Sequence, residues 1–222
     1  MSQQLTLRLA GAPTYSMNDF LQAPCNQKAY EMIAQADQWP HGIILWGAEK
    51  TGKTHLAHIF QHTHGGEFYS EESIESLKIQ DLVKPETYYI LDQSIDFYTQ
   101  HETELFHLLN LLHERNSKLL MTAHKPLLQW SLKLSDLQSR LSRFLSVELE
   151  KPDDSLLESV LHKHASDLQI TLDPKVAAYL MTHSDRSIQH LLNTLEQINV
   201  LALERREKIT IPLAKRVLEK LT

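Results

Sequence analysis

The chain carries one cysteine, Cys25, in 222 residues. A lone thiol excludes an intramolecular disulfide, supplies no cysteine-rich metal centre, and suits a reducing, cytoplasmic setting. Long apolar runs are missing too. None approaches the roughly 18 residues of a membrane span, so no membrane association is expected. Positive charge is in deficit, with 22 Lys and Arg against 28 Asp and Glu and a net charge of −6. That balance argues against a broad nucleic-acid-binding surface and leaves room for a local basic patch. Near the amino terminus, "LTLRLAGA" is too short for a signal-peptide core, is interrupted by Arg8, and follows no basic stretch. What is present, 42% hydrophobic and 23% charged residues, is ordinary globular composition.

Apolar patterning divides the chain. "IILW" (Ile43 to Trp46) is a short buried-strand run stopped by Gly47, and "THLAHIFQHTH" follows at helical spacing. "GEFYS", "TYYILD", "KLLMTA" and "FLSVEL" read as four further strands. Between them, "SEESIESLKIQDL" reads as a short amphipathic helix, with Ser70 or Glu71 near its cap. "TELFHLLNLLHERNS" is a longer helix with Leu105, Leu108, Leu109 and Leu112 on one face. Strands alternating with helices predict an α/β base built on a parallel five-stranded sheet covered on both faces. After Glu150 the pattern turns all-helical. Ser155 and Glu158 fit a capping box, and Asp173 with Pro174 fits a helix start. The expected organisation is a terminal segment at 1–18, the α/β base at 19–150 and an all-helical region at 151–222.

The strongest chemical signal is "GAEKTGKT", running Gly47, Ala48, Glu49, Lys50, Thr51, Gly52, Lys53, Thr54. It is a G-x-x-x-x-G-K-[ST] loop between a predicted strand and a predicted helix, the context that a phosphate-binding loop requires. Its backbone N–H groups and the helix N-terminus cradle anions. Lys53 is placed for the β- and γ-phosphates of ADP or ATP, and Thr54 for Mg²⁺. Asp92 ends the "YYILD" strand and is the second expected Mg²⁺ contact. The residue after it, where a second carboxylate would orient attacking water, is Gln93, so intrinsic turnover is expected to be weak.

Other candidates are less specific. Thr122 is a polar residue at the end of a buried strand, able to meet a γ-phosphate or a water. Arg140 and Arg143 precede the fifth strand; either is a solubilising charge or an arginine finger for a neighbouring molecule. Arg186 opens a long helix, where the dipole disfavours a cation unless an anion is near. His55, His58 and His62 share helical spacing without a metal-binding motif, and read as solvent-facing or partly packed. At the amino terminus Leu5, Leu7 and Leu9 alternate with polar residues behind Gln4, as in an edge strand or a groove-binding peptide.

The ordered set of motifs resembles the AAA+ ATPases and, more closely, the DnaA-related family with its Hda-like regulators (DnaA regulatory inactivators). "YSMNDFLQAPCNQKAYEMI" is similar to the segment beside that family's adenine pocket, and "WGAEKTGKTHL", with His55 and Leu56, to its phosphate loop. "LLMTAHKP" resembles sensor 1, implying that role for Thr122. "DLQSRL" resembles the arginine-finger segment, implying Arg140. "SDRSIQHLLNTLEQI" resembles sensor 2, implying that Arg186 meets nucleotide phosphate, and "ITIPLAKRVLEKL" resembles the closing lid helix. The resemblance implies a P-loop AAA+ base followed by a helical lid, with no DNA-binding domain after it. Gln4, Leu5, Leu7 and Leu9 resemble the peptide by which Hda-like proteins bind the replicative sliding clamp, the beta subunit of DNA polymerase III. The implied function is negative regulation of replication initiation, through clamp docking and promoted hydrolysis of DnaA-bound ATP. The implied state is compatible with a homodimer or larger oligomer. Two other readings stand beside it: an ATP-hydrolysing DnaA-like loader or remodeller, and a nucleotide-bound adaptor without arginine chemistry.

Overall fold

Five parallel strands form one sheet: β1 (Gly42–Trp46), β2 (Glu67–Phe68), β3 (Tyr88–Leu91), β4 (Lys118–Ala123) and β5 (Leu145–Glu148). Their spatial order is β2-β3-β4-β1-β5. The computed structural model describes residues 15, 17, 20–70, 83–185 and 187–221. Gln4, Leu5, Leu7, Leu9 and Arg186 lie outside the described residues, as does the helix expected over "SEESIESLKIQDL" from Glu71 onward.

The order explains the residue types. β1, β3 and β4 are interior strands with both faces covered, so they read as near-continuous apolar runs. Alternation then sends neighbours to opposite sides. Ile44, Tyr89, Leu91, Leu119 and Met121 join one core, with Leu105, Leu108, Leu109 and Leu112 of α4 (Glu102–Glu114) and Leu137 and Leu141 of α5 (Ser135–Leu141). α3 (Ile95–Gln100) adds Phe97 and Tyr98 to it. Ile43, Leu45, Ile90, Leu120 and Val147 join the other core. There they pack with Ala29 and Ile33 of α1 (Gln27–Ala34) and Leu56, Ile59 and Phe60 of α2 (Lys53–His64). The four leucines of α4 are buried on one face, as their spacing predicts. Edge strand β5 exposes Ser146 and Glu148 and buries Val147, the alternation of a half-covered strand.

The chain divides into two compact units, one spanning Tyr15–Lys151 and one containing Pro152–Thr222. In the second, α6 (Asp154–Asp167), α7 (Pro174–His183), α8 (Ile188–Arg205) and α9 (Ile211–Leu221) surround their own core, which includes Leu161, Leu180, Leu195, Ile198 and Leu213. The start of α6 differs from expectation. Its N-cap is Asp153, whose carboxylate accepts from the Leu156 N–H at 2.8 Å, in place of a Ser155–Glu158 box. Ser155 already lies inside the helix, while Asp153 keeps the extended backbone that a cap requires. Asp173 caps α7 ahead of Pro174 as expected, accepting from Lys175 N–H at 2.8 Å. Ser187 caps α8, so that helix begins two residues after position 186.

Candidate functional site

Parallel strands bring their carboxyl ends to one edge of the sheet, and ligands of open α/β sheets bind outside that edge. Here β1, β3 and β4 end in register, with Trp46 opposite Ala123 and Leu91 opposite Met121. The ladder continues past β1 through Gly47 N–H to Ala123 C=O at 3.1 Å and Leu149 N–H to Trp46 C=O at 2.7 Å. Gly47 is forced by proximity: a Cβ there would lie 2.2 Å from the Leu149 carbonyl oxygen. Gly52, the last loop residue before α2, takes a left-handed φ of 101°, which a side chain would strain.

Between these glycines the loop wraps the Lys53 side chain. Its ammonium donates to the carbonyl oxygens of Gly47 (2.9 Å) and Ala48 (2.6 Å) and to Thr51 Oγ1 (3.5 Å). Thr51 is buried and its hydroxyl donates to the Ala48 carbonyl at 3.0 Å, and Lys50 adopts a left-handed φ of 62°. Burial pushes the Lys53 amine below its ordinary value, while the carboxylates of Asp92 and Glu49 oppose that shift. No side chain caps the first turn of α2. A half-desolvated cation beside an uncapped helix N-terminus in a glycine-made hollow fits a phosphate chain. Thr54, exposed on the first turn, and Asp92 are the oxygen donors that would hold Mg²⁺, a hard cation that takes few protein ligands and the phosphates. Bound there, the ion would neutralise charge on the phosphates.

The carboxylate side of the site is held from below. Thr122, buried in β4, donates its hydroxyl to Asp92 Oδ1. The fully buried Tyr98 of α3 ties the same strand ends together. Its hydroxyl meets the carbonyls of Leu91 (2.9 Å) and Thr122 (3.1 Å) and accepts from the Gln93 N–H at 3.2 Å. Burial holds that phenol well above its usual range, so it stays a neutral hydrogen-bonding group. Tyr98 was not singled out from the sequence, where a tyrosine in a short helix reads as core.

Aromatic rings gather around the start of α2. Tyr15 lies 5.5 Å from the His55 ring and 4.7 Å from His58, and Phe20 stacks with Tyr30 at 5.4 Å. His58 is thus partly packed, and His55 and His62 are exposed. Among the described residues no group of His, Cys, Asp and Glu forms a metal cluster, and no helix is long and apolar enough to cross a membrane.

Arg140 is elsewhere. It ends α5, just before β5 begins, and its guanidinium lies 5.2 Å over the Phe106 ring. It lines a cavity with His41, which precedes β1, and Ser117, which precedes β4. This is the amino-terminal edge of the sheet, opposite the edge that carries Gly47, Lys53, Asp92 and Thr122. Arg143 lines the same cavity. The loop leading into α5 is secured by Glu102, a mostly buried carboxylate. Both of its oxygens accept from Lys133 N–H at 3.0 Å, and one accepts from Leu134 N–H at 2.6 Å. From sequence Glu102 reads as a first-turn acid of α4; its partners are thirty residues away and unmarked.

Residues 153–218 match the family model described as the Hda lid domain. The chain is 27% identical to the chromosomal replication initiator protein DnaA of Buchnera aphidicola subsp. Cinara cedri, over 93% of this chain and 53% of that protein. It thus spans about half the length of the curated relatives it matches. Domain III of the Thermotoga maritima replication initiation protein DnaA superposes with a TM-score of 0.79 at 20% identity, covering 94% of this chain and 97% of that one. AMPPCP-bound DnaA from Aquifex aeolicus superposes with a TM-score of 0.72 at 19% identity, over 87% of this chain and 67% of that one. What they share is the fold.

Proposed function

We propose that the chain is a DnaA-related, Hda-like AAA+ protein and that it negatively regulates chromosomal replication initiation by promoting hydrolysis of ATP held by DnaA. In this reading the loop Gly47–Thr54 binds ADP or ATP, with Thr54 and Asp92 holding Mg²⁺, Thr122 orienting the carboxylate, and Arg186 meeting the phosphates. The segment 1–18 docks on the DNA-loaded sliding clamp through Gln4, Leu5, Leu7 and Leu9. Arg140 is presented to the nucleotide of a DnaA molecule.

One observation carries the reading. Arg140 sits at the amino-terminal edge of the sheet, and the chain's own phosphate loop sits at the carboxyl edge. An arginine so placed has no part in the chemistry of its own loop and is available to another molecule's phosphate. A finger supplied in trans stabilises transition-state charge and raises hydrolysis by about 10³–10⁵ where it is known. Gln93 in place of a second carboxylate agrees with a protein that activates a partner and turns over slowly itself.

The test is a DnaA–ATP hydrolysis assay with DNA-loaded clamp. Arg140→Ala is expected to keep nucleotide and clamp binding and to lose stimulation. A Leu5/Leu7 double alanine variant is expected to lose it through failure to dock. Full stimulation by Arg140→Ala would sink the finger assignment, and full stimulation by the double variant would remove docking. Rapid ATP turnover without DnaA or clamp would favour a loader or remodeller.

A further inference from the structure

The amino-terminal edge of the sheet holds a concentration of positive charge that the function of Arg140 alone does not use. Four basic side chains from four parts of the base line one cavity: His41 before β1, His113 near the end of α4, Arg140 at the end of α5, and Arg143 in the turn into β5. The two imidazole rings stand 5.5 Å apart, edge to face. Among the described residues none of the four has a carboxylate at ion-pair distance. In a chain of net charge −6 this is a local excess of the opposite sign.

We propose that His41, His113, Arg140 and Arg143 form a binding site for a phosphate-class oxyanion, separate from the phosphate loop at the other end of the sheet.

Four observations support it. Guanidinium groups are the side chains best matched to phosphate, offering paired N–H donors in a planar fork. Arg140 is held in place by its stack on Phe106, so one of the two forks is ordered before an anion arrives. Burial, and then the nearby His113, Arg143 and Arg140, push the His41 imidazole below its ordinary value, with no acid opposing them. Like charges gathered without a counter-ion repel, and an anion relieves that repulsion. Finally, the cavity measures about 40 Å³, several times the roughly 10–15 Å³ that one water needs. That leaves room for a compact group such as phosphate. Leu109, Leu112, Ser117 and Phe144 complete the lining; the Ser117 hydroxyl donates to the Lys84 carbonyl at 2.7 Å, which leaves the basic side chains as the donors.

The phosphate has two sources, free in solution or at the end of a nucleotide's phosphate chain. Both present the same dianion to the same donors. Binding favours the imidazolium form of His41, so a bound phosphate raises its pKa and, while the phosphate stays a dianion, affinity increases as pH falls.

The experiment follows the imidazole Cε1–H signals of His41 and His113 by NMR, using the full chain with Lys53→Ala to silence the phosphate loop. Inorganic phosphate is titrated in one arm and AMPPCP in the other. Saturable movement of both signals, with a raised pKa for His41, is expected. Arg143→Gln is expected to weaken it about tenfold, the loss of one charge-assisted contact. Stronger binding of AMPPCP than of phosphate assigns the site to a nucleotide's phosphate chain, and the reverse assigns it to the free anion. Absence of movement in both arms, or movement that survives Arg143→Gln together with His41→Gln, overturns the site. The measurement needs no DnaA, so its failure is distinct from failure of the trans role of Arg140.

Discussion

The Thr122 hydroxyl donates a hydrogen bond to the carboxylate of Asp92. The β3–β4 register makes this contact: Leu91 pairs with Met121, and the next step along each strand brings Asp92 level with Thr122. A donor there fixes one oxygen of a carboxylate that acts electrostatically on Lys53 of the phosphate loop. Thr122→Val keeps the shape and removes the donor. Hydrogen bonds to charged groups contribute about 1.5–3 kcal/mol. We expect the affinity for Mg²⁺–nucleotide to fall roughly tenfold, with metal-free nucleotide affinity nearly unchanged. Calorimetric titration with and without Mg²⁺ reads the difference; equal losses in both conditions would detach Thr122 from the metal.

Lys53 predicts a pH signature of nucleotide binding. In the free protein burial lowers its pKa from the ordinary lysine value. A polyphosphate favours the charged amine and raises the pKa in the complex. Between the two values the complex holds a proton that the free protein lacks, so binding takes up protons and weakens as pH rises through that window. Below the window both forms are protonated and no uptake occurs. Binding enthalpies measured at alkaline pH in two buffers of different ionisation enthalpy should differ accordingly, and the difference should vanish below the window.

Glu102 predicts a coupling between stability and the role proposed for Arg140. Its carboxylate satisfies the N–H groups of Lys133 and Leu134 just before α5, a helix with no side-chain cap at its own start. Glu102→Ala removes those hydrogen bonds and should cost about 1.5–3 kcal/mol in urea denaturation, the contribution of a hydrogen bond to a charged group. Because α5 carries Arg140, stimulation of DnaA-bound ATP hydrolysis should fall in folded Glu102→Ala while nucleotide affinity holds. A parallel loss of both would mean that the whole base has loosened.

Legibility from sequence followed contact range. The loop from Gly47 to Thr54 is eight consecutive residues between a strand and a helix, so its chemistry is written locally. The face of α4 was equally plain, because its leucines repeat at the helical period. The cap of α6 was misplaced by two residues, since Asp153 and Ser155 are both good caps and backbone conformation chose between them. Tyr98 and Glu102 were not visible as site residues. Each bonds to main-chain groups of a segment that folding brings near, and main-chain donors and acceptors leave no mark in a sequence.

By itself the sequence determined that there is a phosphate loop, that parallel strands alternate with helices, and that the last third is helical, because each depends on spacing along the chain. The tertiary structure decided which residues meet. Strand order β2-β3-β4-β1-β5 sets β4 between β3 and β1, and so puts Thr122 beside Asp92. The common direction of the strands sends residues before them and residues after them to opposite edges. That separation, a consequence of parallel pairing, sets Arg140 with His41, His113 and Arg143 at one end of the sheet and Lys53 with Asp92 at the other.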